Sequence, residues 1–305
     1  MHSSFIQRRC PGCDSADHRP EMASDRKAED ATLDELKAFW SGFHTERTFF
    51  TYDRCAECGL LFAPVFFSEL QLRELYAQLS PNMEDVPGSA IELTQRGYFE
   101  MARRNRVSMT GGYLEIGPDI GHVSQIAARK GDFDHFWLFE PNLAVHEQLA
   151  ASALGKPHTL SHHMTDLSAV PDGTIGLAVM IHVLDHLLDP LAMLQQIYRK
   201  LRARGALLIV THNEASLMRK ALRSRWPPFC LQHPEVYSPY SMRRILGRAG
   251  YAPVTVQRSR NYFPVRYLAQ QAAIATRLPL LGKLPLPRQS IGLRLGNIQT
   301  LAWKN

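Results

Sequence analysis

Leu114-Glu115-Ile116-Gly117-Pro118-Asp119-Ile120-Gly121 is the stretch on which the fold of this chain turns. Tyr113, Leu114 and Ile116 read as a short buried strand, and Gly117 to Gly121 as a tight turn into a helix from about Val123 to Arg129. Such a turn needs residues without side-chain bulk, and its exposed amides favour an electron-rich ligand. The ordinary dinucleotide fingerprint is G-x-G-x-x-G. Here the order is Glu-x-Gly-x-Asp-x-Gly, with an acid ahead of the first glycine.

Downstream the pattern alternates strand and helix, which implies a parallel sheet covered on both faces. Phe136-Trp137-Leu138-Phe139 is a buried strand ending in Glu140-Pro141-Asn142. An acid roughly 20 residues past the glycine turn is placed to accept two ribose hydroxyls. Asp166 and Leu167 lie in the next loop, where Asp166 also suits an Asx-turn. Ile175 to Leu184 is an apolar strand running into His182-Val183-Leu184-Asp185-His186. Asp189-Pro190 then opens an amphipathic helix that closes at Arg204-Gly205, before a fifth strand from Ala206 to Val210.

The glycine turn resembles motif I of the class I S-adenosylmethionine methyltransferases, with Asp119 in place of the usual middle glycine. The His-Val-Leu-acid-His segment, the Asp-Pro helix start and the strand after Gly205 resemble the middle of the same family, with Asp185 for its Glu and Gly176 for an Asp. Gln232-His233-Pro234-Glu235-Val236-Tyr237-Ser238, a helix from Ser241 to Gly250 and a strand at Val254 to Val256 resemble the tail of bacterial methyltransferases acting on sugars and natural products. The resemblance implies a Rossmann-like sheet of seven strands in an α/β fold. It implies S-adenosylmethionine held by Glu115, Gly117, Pro118, Asp119, Gly121, Glu140, Pro141, Asp166, Leu167 and His182. Methyl transfer to a hydroxyl or an acidified carbon needs a base, and histidine suits that task near neutral pH. His233 is the first candidate, with His186 and Tyr237 beside it. His182, Asp185 and His186 are a further possibility as divalent-metal ligands if their segment is helical, as at the matching positions of ubiquinone-pathway O-methyltransferases.

Before the sheet stand Cys10-Pro-Gly-Cys13 and Cys55-Ala-Glu-Cys58. Two Cys-x-x-Cys knuckles facing each other give closed tetrahedral thiolate coordination, so Cys10, Cys13, Cys55 and Cys58 are read as structural zinc ligands. Between them a helix is expected near Thr32 to Ser41, and after them another through Leu70 to Leu79. The knuckle module also resembles the N-terminal domain of sugar C-methyltransferases. The expected organisation is a zinc module with its helix over residues 1–80, a linker (Ser80 to Ser89) and cofactor-capping helix (Ile91 to Met109) over 81–110, and the methyltransferase domain over 111–305. A Pro-rich insertion is read near 261–287, followed by a last antiparallel strand from Ile291 to Trp303.

With 305 residues, 45% hydrophobic and 21% charged, the chain has ordinary globular composition and room for one large core plus a small module. No apolar run reaches membrane-span length and the N-terminus lacks a signal-peptide core, so a cytoplasmic enzyme is expected. A net charge of +6 permits anionic substrates, yet no basic–aromatic stripe of the nucleic-acid-binding type is evident. The expected acceptor is a small molecule, such as a nucleotide-linked or cell-surface sugar. A ribosomal RNA methyltransferase and a non-catalytic scaffold of the same fold are the alternatives.

Overall fold

The computed structural model describes residues 5–40, 47–76, 88–276, 287 and 289–305. Its centre is a seven-stranded sheet built from β1 (Thr110–Ile116), β2 (Asp132–Phe139), β3 (His158–Ser161), β4 (Ile175–Ile181), β5 (Leu201–His212), β6 (Val254–Arg258) and β7 (Asn297–Trp303). The spatial order is 3-2-1-4-5-7-6, with β7 antiparallel to both neighbours and the remaining pairs parallel. This is the α/β architecture expected for a class I methyltransferase sheet.

Because side chains alternate across a strand, each face of the sheet has its own apolar layer. Tyr113, Leu138, Val179 and Val210 meet α1 (Gly88–Arg104), α2 (His122–Lys130) and α3 (His146–Ser152) through Tyr98, Val123 and Leu149. Leu114, Met180 and Ile209 on the other face meet α4 (Pro190–Lys200) and α5 (Pro239–Arg248) through Leu194 and Ile245. Asp189 caps α4 by accepting from the Ala192 amide, and Pro190 occupies the first turn, where its missing N–H costs nothing.

Several local expectations shift. α1 begins at Gly88 and stops at Arg104, not Met109: Asn105 turns its side chain back to the Met101 carbonyl, and Arg106 has φ +56°. α4 ends at Lys200 rather than at Arg204-Gly205, since β5 already pairs with β4 at Leu201 and absorbs the Arg204-Gly205 pair as a kink. β4 ends at Ile181, and Leu184–His186 forms a single 3-10 turn. The expected last strand is two: Ser290–Leu293 pairs with Asn261–Pro264, and only β7 joins the main sheet. Between Pro264 and the described residues near 287, the insertion carries α6 (Val265–Thr276). The first expected helix is short, Leu33–Lys37, closed by a Thr32/Glu35 capping box. The second spans Glu69–Tyr76. The linker expected from Ser80 lies outside the described residues up to 87.

Gly176, where the family has an acid, sits in a register shift of β4. A Cβ there would lie 2.1 Å from the Thr110 carbonyl oxygen, so no side chain fits.

The cysteine module is tied into the same body. Its four-stranded sheet runs Glu235–Val236, Leu61–Phe62, Tyr52–Cys55, His18–Met22, so one edge strand comes from the far end of the chain. Cys10, Cys55 and Cys58 share a continuous core with Leu114, Met180 and Tyr237. Arg8, 6% exposed, reaches across to Glu235, 0% exposed, at 3.0 Å and also donates to the Leu188 carbonyl.

Candidate functional site

The glycine turn places Gly117, Asp119 and Gly121 all at positive φ (66°, 52° and 82°). Asp119 thus takes the left-handed conformation that the family's glycine would adopt, which Asp tolerates better than most residues. At Gly117 a Cβ would stand 2.5 Å from Val183 Cγ2, so the turn lies flush on the segment leaving β4. Pro118 is buried beside it.

Glu140 ends β2 facing this turn. Its two carboxylate oxygens accept from the Asp119 amide (2.9 Å) and the Asn142 amide (2.8 Å), which fixes the group in one orientation. Each oxygen keeps a second lone pair, enough for two vicinal hydroxyls. Burial pushes the Glu140 carboxyl up, against the pull of the two amides. The residue is 7% exposed. The set fits the ribose end of an adenosine cofactor.

Glu115 is placed differently. It faces α2, accepts from Tyr113 Oη (2.7 Å) and from Ser124 Oγ, and is 2% exposed. Burial raises its carboxyl to about 7. The acid therefore pins the start of α2 to β1, and its hydrogen bonds are all internal. Asp166 is exposed and holds an Asx-turn through the Ser168 amide (2.9 Å), while Leu167 is packed in the core and Pro141 is exposed at the loop start.

Beyond the turn, the ends of β4 and β5 bring together a histidine cluster that the sequence revealed only in part. His182 has φ +52°. Its ring lies 4.8 Å from that of His212, which lies 4.9 Å from His233, which lies 4.5 Å from His186. Asp185, fully buried, sits among them, with Oδ2 accepting from the His212 amide and 4.0 Å from His212 Nε2. Burial disfavours its charge, but the surrounding imidazoles, His212 foremost, hold the Asp185 carboxyl below its usual range. Asn297 of β7 bridges two rings: its amide oxygen accepts from His212 Nδ1 (3.1 Å) and its amide nitrogen donates to His182 Nε2 (3.3 Å). His212 consequently keeps its hydrogen on Nδ1 and leaves Nε2 bare.

The trio expected for a metal does not form as read. The 3-10 turn sends His186 towards the module, where Nδ1 is 3.0 Å from Tyr76 Oη. The residues whose ligand-capable atoms lie within 4.8 Å of one another are His182, Asp185 and His212. Burial lowers His182, His186 (to about 3) and His212. His233 is the exception. Burial works against its charge, yet the neighbouring Cys230 sulfur, with Asp185 and the Pro228 carbonyl, raises it to about 9. Its Nδ1 stands 2.7 Å from the Pro228 carbonyl and 3.3 Å from Cys230 Sγ, so that nitrogen carries a hydrogen. His233 holds its proton; His212 is free to take one. Tyr237 stands apart, fully buried in the core with the module cysteines, its hydroxyl without a partner among the described residues.

The module roofs this cluster. Tyr52 Oη donates to the His233 carbonyl, Gln232 donates to the Trp40 carbonyl, and Tyr76 meets His186. At its centre, Cys10 and Cys58 sulfurs are 3.4 Å apart, Cys13 and Cys55 3.5 Å apart, and all four within 4.8 Å of one another. A tetrahedron of zinc–thiolate bonds has edges of about 3.8 Å, so the four sulfurs are pre-arranged for that ion.

A family model described as a methyltransferase domain matches residues 70–256, more than half of the 305-residue chain. Among solved structures, an S-adenosylmethionine-dependent methyltransferase candidate from Listeria monocytogenes aligns with a TM-score of 0.50 at 9% identity, covering 69% of this chain and 99% of that one. The YcgJ protein of Bacillus subtilis aligns at 0.49 and 15% identity, covering 69% and 98%. A SAM-dependent methyltransferase from Aquifex aeolicus aligns at 0.49 and 14% identity, covering 75% and 100%. At such identities the likeness concerns the fold. No curated protein sequence matches the chain.

Proposed function

Since the chain belongs to the methyltransferase-domain family and is an S-adenosylmethionine-dependent methyltransferase, we propose that it methylates a small molecule, a nucleotide-linked or cell-surface sugar or a related natural product. The observation that carries the cofactor site is the Glu140 carboxylate, held by the Asp119 and Asn142 amides at the mouth of the glycine turn. Gly117 to Gly121 would cradle the cofactor's methionine end, and Glu140 its ribose hydroxyls. The cofactor, when bound, supplies an electrophilic methyl group for in-line displacement.

The chain's own part is to align the acceptor and remove its proton. His212 is the base in this reading. Burial lowers its affinity for a proton, it is partly open at 23% side-chain exposure, and it is backed by the Asp185 carboxylate, which stabilises the imidazolium formed on proton uptake. Asn297 fixes its tautomer. His233, first choice from sequence alone, supplies a positive charge nearby. Cys10, Cys13, Cys55 and Cys58 would hold a zinc ion whose role is structural: it keeps the roof in place over the acceptor.

Isothermal titration with S-adenosylhomocysteine tests the site. Glu140→Ala removes a charged acceptor of two hydroxyls, an expected loss of about 3 kcal/mol or roughly 100-fold in affinity. Equal affinity in the variant would overturn the assignment of Glu140. Candidate sugar acceptors are then screened for methyl transfer, where Asp185→Asn is expected to lower kcat by about 100-fold or more with cofactor affinity unchanged.

A further inference from the structure

Beside α1, a cavity of about 540 Å³ opens between that helix, the β6–β7 edge and the hairpin Asn261–Pro264/Ser290–Leu293. Its lining is unusually one-sided in charge. Arg96 and Arg104 belong to α1, Arg258 ends β6, Arg260 lies between β6 and the first hairpin strand, and Arg294 follows the second. None of these five forms an ion pair among the described residues. Glu100, the one acid among the described lining residues, is already engaged by Arg103. Guanidinium groups gathered around one concavity repel each other unless an anion sits between them, and their planar donors match phosphate oxygens.

Two further features show that the concavity is built rather than incidental. The hairpin is docked on α1 by the Tyr262 amide, which donates to Thr94 Oγ1 at 2.8 Å. Gly292 lets Arg260 lie flat across the hairpin; a Cβ there would meet Arg260 Cδ at 2.8 Å. In the lining, the amide oxygen of Gln299 is buried without any donor among the described residues. A hydroxyl or amino group on an organic ligand can donate a hydrogen to such an oxygen. The volume lies within the range of small-ligand pockets.

We infer that this cavity binds an organic diphosphate, with the arginines on the phosphates and Gln299 accepting from a sugar hydroxyl or base amino group. Gln299 and Asn297 are two residues apart on β7 and so share a face of the sheet. Asn297 is the residue that holds His212, which places the cavity next to the histidine cluster. Service as an anchor for a nucleotide-linked acceptor rests on the methyl-transfer reading; binding itself does not.

The test is isothermal titration of the full chain with UDP, ADP and inorganic pyrophosphate, each alongside S-adenosylhomocysteine. Expected are saturable binding of at least one nucleoside diphosphate, tighter than pyrophosphate, and weakening on going from about 50 to about 200 mM salt. Arg258→Gln/Arg294→Gln is expected to weaken it roughly tenfold or more, with S-adenosylhomocysteine affinity unchanged. Absence of binding, or affinity unaltered in the double variant, overturns the site even where S-adenosylhomocysteine binds. Diphosphate binding without S-adenosylhomocysteine binding keeps the site and overturns the cofactor assignment. A single-stranded oligonucleotide that binds where the diphosphates do not would assign the basic face to nucleic acid and overturn the small-ligand proposal.

Discussion

Replacing Glu115 by Gln separates two roles for the acid of the glycine-turn motif. In one, it contacts the cofactor; in the other, suggested by its hydrogen bonds to Tyr113 and Ser124, it anchors α2. Burial raises its carboxyl from 4.5 to about 7. A carboxyl whose folded value lies above its unfolded value binds its proton more tightly in the native state. Its contribution is fully present below about pH 4.5 and falls as pH rises through 7, by about 1.4 kcal/mol per pH unit and about 3 kcal/mol in all. Gln is isosteric and does not ionise, and its amide oxygen can accept from both hydroxyls. Urea unfolding at a series of pH values from 5 to 8 should therefore show Glu115→Gln gaining on the parent protein as pH rises, with the gap levelling above 7. Glu235, also raised to about 7 by burial, adds a similar slope to both proteins and cancels in the difference. S-adenosylhomocysteine affinity should stay within about twofold, because no hydrogen bond of Glu115 leaves the interior. A constant stability gap across the pH series, or a large loss of cofactor affinity, would refute the anchoring role.

The buried Arg8–Glu235 pair ties the module to the sheet, so Arg8→Met should cost about 3–5 kcal/mol in denaturant unfolding, and Arg8→Met/Glu235→Met should recover most of it. Chelation of zinc, or Cys58→Ser, should abolish methyl transfer while S-adenosylhomocysteine still binds, read by titration and a turnover assay on the same sample; loss of both would contradict a role confined to the roof. Because burial lowers His212, kcat should hold constant below pH 6.5 and fall only at more acidic pH, whereas an acid limb centred near 9 would point to His233. Asp119→Gly relieves a left-handed φ and should stabilise the protein by about 0.5–1 kcal/mol in thermal unfolding.

What could be read from the amino acids is what lies close along the chain. The glycine turn, the acid at the tip of β2 and the two cysteine knuckles each need only a few neighbouring residues, and local spacing reports them. From sequence His212 reads as a mere loop residue, because a histidine at a strand end has no local signature. Its meaning comes from the antiparallel register that sets it opposite Asn297, and from a turn that carries Asp185 beneath it. Cys230 has no local signature either, and only the fold places it against His233. The arginine cavity draws on α1, β6 and a hairpin far apart in sequence, and no window along the chain would join them. The kink at Arg204-Gly205 was mistaken for a helix end because turn chemistry reads alike in both settings, and only pairing with β4 distinguishes them.

The module's edge strand, Glu235–Val236, has a consequence for how the protein is made. The knuckles and Leu61–Phe62 leave the ribosome early, but the strand that completes their sheet follows roughly 170 residues later, a wait of about 10–35 s at usual translation rates. Throughout that interval the nascent thiols face the surroundings with their sheet edge unpaired. Early capture of zinc by the four thiols would guard them against oxidation, and the yield of folded protein should then track zinc supply during synthesis rather than after release.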